Sequence, residues 1–367
     1  MENKKITYVF ISGRKERILN DKETFAKEFF YGFNYFKDKY EHVKIIEFKE
    51  LRTIFNLFYK LLNKISDLPF YGNYLINKEN YKVLKNTDEL VLTNQKTAFS
   101  ILPLLLLVKI RKNINSNVFI MGLFGKKMKY RIKSIFRDMF IYILILSSKK
   151  LIFLGKGEYE FANKKYRKYR NKFELLPFSV DIEFWKPKEK DYDYKEILFI
   201  GNDGMRDYEF LDILIQNLEE YKFNVVSKIF ISSFHHENIK LYSGSWGSQE
   251  YTDSFIHNLY KNASLTILPL KNSLQPSGQS VALQSIASGT PVLISKTEGF
   301  WDPDKFIDNE NIYFLESNDL KLWTNRIKEI LESPDLRQKV RRKGRKTIEA
   351  NYNLASFHKD IERIILS

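Results

Sequence analysis

The chain has 367 residues, enough for about two domains with a core each, and no cysteine. That excludes a disulfide framework, an iron–sulfur cluster, a thiol nucleophile and cysteine-ligated zinc, and it agrees with a reducing compartment, so the cytoplasm is expected. The net charge of +15 is uneven: residues 1–200 hold 40 Lys+Arg against 23 Asp+Glu, and residues 201–367 hold 20 against 22. A basic first half suits a polyanion, either an anionic membrane surface or nucleic acid. No nucleic-acid partner is expected, because neither a reading helix nor an aromatic-basic sheet motif is present.

Short apolar runs alternate with longer amphipathic ones, the pattern of a parallel sheet covered by helices. An α/β protein is expected. Taken along the chain, strands are predicted at 7–11, 43–47, 89–93, 118–121 and 151–154, with helices between. The first is followed by Ser12-Gly13-Arg14, where Gly13 and Arg14 either bring backbone close to a ligand or form an ordinary βα turn. The apolar stretches "ILPLLLLV" at 101–108 and "MFIYILIL" at 139–146 are far shorter than the roughly 20 residues that span a bilayer. Residues 101–150 carry 11 Lys+Arg against one acidic residue, Asp138. Helical spacing puts Met128, Ile132, Ile135, Phe136, Met139 and Ile143 on one face, expected against the sheet. Lys126, Lys129, Lys133 and Arg137 fall on another, expected as a basic rim toward an anionic membrane surface.

The polar stretch "KPKEKDYDYK" at 186–195 reads as a linker between a domain at 1–186 and another at 187–352. Asp191 and Asp193 within it match a short metal-binding pattern, but lie away from any expected strand end, and no metal site is expected. A second series of strands follows at 197–200, 224–226, 239–243, 265–268, 291–295 and 312–314. The first of these runs into Gly201, Asn202 and Arg206. Trp246 in "GSWGS" either flanks a nucleobase or packs. "PSGQSVALQSIASGTPVL" at 276–293 is a helix between two loops, with Ser277 as the expected N-cap and Gly289 marking its end. Its opening residues Ser277, Gly278, Gln279 and Ser280 leave backbone N–H groups approachable at the positive end of a helix dipole, which suits an anion; an ordinary capped helix start reads the same residues equally well. A last helix, 353–367, is expected to pack back on the first domain.

"LPFSVDIEFWKP", "ILFIGNDGMRDY", "PSGQSVALQSIASGTPVLIS" and "SPDLRQKVRRKGRKTIEANYN" occur in an order and spacing that resemble the retaining glycosyltransferases of family 4. The resemblance implies the GT-B fold, two Rossmann-like doubly wound domains facing across a cleft. It further implies transfer of a sugar from a nucleotide-sugar donor, held by the second domain, to a cell-surface glycan or lipid-linked acceptor, held by the first. No cofactor or metal is implied. Donor contacts would come from Gly201, Asn202, Ser277, Gly278, Gln279, Ser280 and Gln284, acceptor or cleft contacts from Gly13 and Arg14, and leaving-group stabilisation from Arg206. Where the family has two glutamates separated by seven residues, this chain has Pro276 and Gln284; Gln284 would grip the ribose hydroxyls. The family's first-domain histidine has no counterpart in the matching loop "MGLFGKK" at 121–127. An inverting GT-B transferase, or a nucleotide-sugar-binding protein with impaired catalysis, are the alternatives.

Overall fold

A computed structural model describes residues 4–20, 25–49, 56–125, 130–187, 195–234, 237–244 and 251–367. Contacts divide the chain into two units: residues 1–21, 30–176 and 358–367 form the first, and 22–29 and 177–357 the second.

The first unit holds six parallel strands, β1 Ile6–Phe10, β2 Val43–Glu47, β3 Glu89–Leu92, β4 Asn115–Ile120, β5 Lys150–Phe153 and β6 Phe173–Leu175, in the order β2-β1-β3-β4-β5-β6. Strands β1 and β3 are buried along their whole length, as a parallel sheet covered on both faces requires. Between the strands lie α1 Arg14–Leu19, α2 Phe33–Lys39, α3 Asn56–Ser66, α4 Lys78–Lys85, α5 Gln95–Lys109, α6 Arg131–Ser147 and α7 Lys156–Lys165. The junction of β3 and α5 is fixed by a capping box, in which Asn94 Oδ1 accepts from the Thr97 N–H at 2.8 Å and the Thr97 side chain reaches back to the Asn94 N–H.

The second unit repeats the plan with β7 Glu196–Ile200, β8 Lys222–Val226, β9 Ile239–Tyr242, β10 Leu265–Leu268, β11 Val292–Ser295 and β12 Tyr313–Leu315, ordered β9-β8-β7-β10-β11-β12 and again all parallel. Its helices are α8 Tyr208–Gln216, α9 Asp253–Asn262, α10 Gln279–Ala287, α11 Leu320–Glu332 and α12 Pro334–Asn351, and α13 Leu354–Leu366 follows. Sheet order reverses at β7, so the chain leaves β7 for β8 on one side and β10 on the other. In doubly wound sheets the carboxyl ends at such a reversal form a ligand crevice.

Unit boundaries differ from those read in the sequence. The first unit ends at Leu176, because Phe178, Val180 and Trp185 are buried in the second unit. There the Val180 N–H donates to the Tyr352 carbonyl at 2.8 Å. Residues 25–29 also join the second unit, where the Ala26 N–H donates to Asp253 Oδ2 at 2.9 Å. Residues 358–367 of α13 belong to the first unit. Glu362 accepts from the hydroxyls of Tyr35 and Tyr40, both at 2.7 Å, and from Lys39 Nζ at 2.8 Å.

Candidate functional site

The crevice of the second unit is built by the loops after β7 and β10. Gly201 follows β7 and hydrogen-bonds through its N–H to the Val226 carbonyl. A Cβ on Gly201 would lie 2.6 Å from Arg206 Cγ and 2.8 Å from its Nε, so glycine is what lets the arginine fold back over the strand end. Arg206 is only 3 % exposed. Its Nη1 pairs with Asp203 Oδ2 at 2.9 Å, and its backbone bridges antiparallel to Leu270, tying the two loops together. The Asp207 N–H donates to the Pro269 carbonyl, and the Lys271 N–H to the Met205 carbonyl. Asn318 braces the same junction, donating to Asp207 Oδ2 at 2.9 Å and to the Leu270 carbonyl at 3.1 Å while accepting from Ser295 Oγ. Asn202 is exposed, and its Oδ1 accepts from the Lys228 N–H at 2.6 Å.

At the far end of the β10 loop, α10 starts at Gln279. Its N-cap is Gly278, in the left-handed conformation at φ +79°, and not Ser277 as expected; no side chain caps the helix. The N–H groups of the first turn therefore lack the side-chain oxygen that usually satisfies one of them. The Ser277 hydroxyl is buried with no hydrogen-bond partner. Gln279 is buried and Ser280 half-buried. The uncapped start of α10 follows the β10 loop and the buried Arg206 guanidinium stands on the β7 loop; a helix start and a guanidinium are each groups that can hold an anion.

Gln284, expected at the ribose hydroxyls, is hydrogen-bonded within the second unit. It has no exposed surface; its Nε2 donates to Glu28 Oε1 at 2.7 Å, and Tyr260 donates to its Oε1 at 3.4 Å. Glu28 also accepts from Trp185 Nε1 at 2.8 Å, and its Oε2 is buried without a partner. Burial raises the Glu28 carboxyl to about 7, against the lowering effect of these bonds. Sequence reading missed Glu28, which lies 256 residues from Gln284 in a stretch with no motif.

In the first unit, the turn expected at Gly13 and Arg14 is present, with Gly13 at φ +85° as the N-cap of α1. Its helix start is already occupied: Glu47 Oε1 accepts from the N–H groups of Arg14 and Lys15 at 2.6 and 2.7 Å. A carboxylate thus takes up the first N–H groups of α1 beside the expected acceptor or cleft residues Gly13 and Arg14. The loop after β4 is held likewise by the buried Glu158, whose oxygens accept from the Gly122 and Phe124 N–H groups at 2.6 and 2.7 Å. Burial lifts the Glu158 carboxyl to about 7. Among the described residues no group of three or more His, Asp or Glu could hold a metal ion. Asp191, Asp193 and Trp246 lie outside the described residues.

Residues 247–347 match the family described as glycosyl transferases group 1, a stretch that contains α9 through β12 and the start of α10. The fold matches over nearly the whole chain. Sucrose-phosphate synthase from Thermosynechococcus elongatus superposes with a TM-score of 0.70 at 14% identity, covering 98% of both chains. A glycosyltransferase from Rickettsia africae gives 0.67 at 16%, covering 99% of this chain and 98% of that one. HepE from Anabaena, in complex with UDP and glucose, gives 0.65 at 10%, covering 99% and 100%. The chain has the GT-B fold. No curated protein sequence matches it significantly. The segment matched by the family model includes the α10 start, and Arg206 and Gly201 lie upstream of it in the same unit.

Proposed function

We propose that the protein is a glycosyltransferase that moves a sugar from a nucleotide-sugar donor to a cell-surface glycan or lipid-linked acceptor, with retention of configuration and without a metal. The observation that supports this is a buried Arg206 on the loop after β7 and an uncapped start of α10 on the loop after β10, the two loops that flank the sheet reversal. When the glycosidic bond breaks, negative charge grows on the departing diphosphate. A fixed guanidinium and a row of backbone N–H groups stabilise that charge in place of a divalent ion. HepE, which shares the fold, has been crystallised with UDP-glucose, which supports the donor class.

Retention follows if the acceptor hydroxyl attacks from the side on which the diphosphate leaves and a departing phosphate oxygen takes its proton. That step needs no protein base, in keeping with a β4 loop that has no histidine and whose N–H groups are taken up by Glu158. The acceptor falls to the first unit, and the cysteine-free composition agrees with action in the cytoplasm.

The test is release of nucleoside diphosphate from a panel of nucleotide sugars by the purified chain, with chelator present and with glycan and lipid-linked acceptors, the product anomer being read by NMR. Acceptor-dependent release and retained anomeric configuration are expected. Binding of the donor without any release would leave a binding protein, and release abolished by chelator would overturn the metal-free step.

A further inference from the structure

Helix α6 faces the opposite way from the orientation its sequence suggests. Ile132 is 70% exposed and Ile135 61%, and Met139, Tyr142 and Leu146 continue the same outward stripe. The face turned inward carries Arg137, Ile141, Leu144 and Ile145. Arg137, expected on a basic rim, is 7% exposed, and its guanidinium donates to the carbonyls of Asp67 at 2.7 Å and Leu123 at 2.6 Å. Lys126 and Lys129 lie outside the described residues. Helix α3 packs against α6 and adds Leu57, 77% exposed, with Phe58 and Leu61. Two packed helices therefore present apolar side chains to water, more than a scatter of single residues does.

We infer that the exposed stripe of α3 and α6 is a docking face for a bilayer surface bearing anionic lipid headgroups, with the helices lying in the interface. Charge complementarity selects this occupant. Lys60 and Lys64 are exposed on α3, and Arg131 and Lys133 flank the stripe on α6. Asp138, the one acidic residue within 101–150, is paired with Lys165 at 2.7 Å. A helix with an apolar face and cations beside it lies in the plane of the interface, its side chains in the headgroup boundary. No helix among the described residues is long and apolar enough to cross a membrane. The inference is independent of the donor site, since vesicle binding needs no nucleotide.

The test is co-sedimentation of the full chain with phosphatidylcholine vesicles, with or without about 30% phosphatidylglycerol, at low and high salt. Two variants accompany it, Ile132→Ser/Ile135→Ser/Met139→Ser and Lys60→Gln/Lys64→Gln/Lys133→Gln. All six positions lie outside the buried core, and an unchanged melting temperature confirms folding. The wild type should bind anionic vesicles at least tenfold better than neutral ones. The serine variant should lose about tenfold at either salt, and the glutamine variant should lose the salt-sensitive part. Equal binding by the serine variant, or no vesicle binding by the wild type, overturns the inference. A wild-type dimer that the serine variant dissolves would assign the face to a second copy and overturn it too.

Discussion

The Arg206 guanidinium is held by groups that leave it little freedom: Asp203 at one nitrogen, the Ile200 carbonyl near another, and Gly201 packed beneath its stem. Removing such a preorganised charge typically costs about a hundredfold or more in turnover, so Arg206→Ala should lower kcat by that order with a smaller change in KM. Gly201→Ala should act in the same direction by pushing the arginine out of place, because its new Cβ cannot share the space. Steady-state rates of both variants, with melting temperatures as a folding control, check this; normal kcat in either would remove Arg206 from the chemistry. Glu28 offers a separate test through pH. In the unfolded chain its carboxyl ionises near ~4.3. In the folded chain burial holds the proton to about 7. Its contribution to stability is therefore full below the lower value and is lost as pH rises through about 7, where the unfolded state has already released the proton. Glu28→Gln keeps an acceptor for Trp185 and Gln284, so its melting temperature should fall less between pH 5 and pH 8 than that of the wild type. Glu158 adds a similar slope from the first unit, so part of the fall should remain. Identical slopes would show that Glu28 does not titrate in this range. The surroundings of Arg206 and Gln284 differ in how legible they were. Arg206 follows a strand and a glycine, a local signal, whereas nothing local to Gln284 shows that a carboxylate from residue 28 takes up its amide.

At the scale of elements, the start of α10 and the start of α1 make opposite use of the same geometry. Both have a left-handed glycine as N-cap, Gly278 and Gly13, and neither cap supplies a side-chain bond. At α1 the Glu47 carboxylate fills the vacant positions, while no side chain caps α10. Glu47→Ala should cost about 0.5–2 kcal/mol, the usual range for losing a helix cap, and leave turnover unchanged. Denaturant midpoints and rates measured on the same preparation test both halves, and a loss of turnover beyond the loss of folded protein would tie the Gly13 and Arg14 turn to the reaction. Gly278→Ala should cost about 1–2 kcal/mol, since a Cβ disfavours the left-handed conformation and would meet Ile294 Cδ1 at 3.3 Å. Most strands were visible in the sequence as short apolar runs between turn residues. Strand β6, Phe173–Leu175, was not, because only Phe173 is buried and charged residues precede it. Helix α6 was recognised, but its orientation was not. Ile132, Ile135 and Met139 on one side and Ile141, Leu144 and Ile145 on the other make both faces apolar, so periodicity alone could not choose between them.

For the whole molecule, two sheets with strand orders β2-β1-β3-β4-β5-β6 and β9-β8-β7-β10-β11-β12 account for the alternating pattern of the sequence. The charge asymmetry has a structural counterpart in the first unit's cations beside an exposed apolar stripe. Where the chain passes from one unit to the next was less legible. The polar run at 186–195 drew the eye, yet the preceding segment through Trp185 is buried in the second unit, because burial of Phe178, Val180 and Trp185 outweighs local polarity in deciding membership. The most direct test of the donor site is calorimetric titration of UDP, GDP and ADP into the full chain with chelator present, repeated on Ser280→Asp. An aspartate in the first turn of α10 favours the helix through its dipole, so the variant should fold at least as well as the wild type, while its charge opposes a diphosphate. One of the three nucleotides should bind the wild type at one equivalent and bind Ser280→Asp at least tenfold more weakly. No binding by the wild type, binding that vanishes with chelator, or equal affinity in the variant would contradict a metal-free diphosphate site at the start of α10.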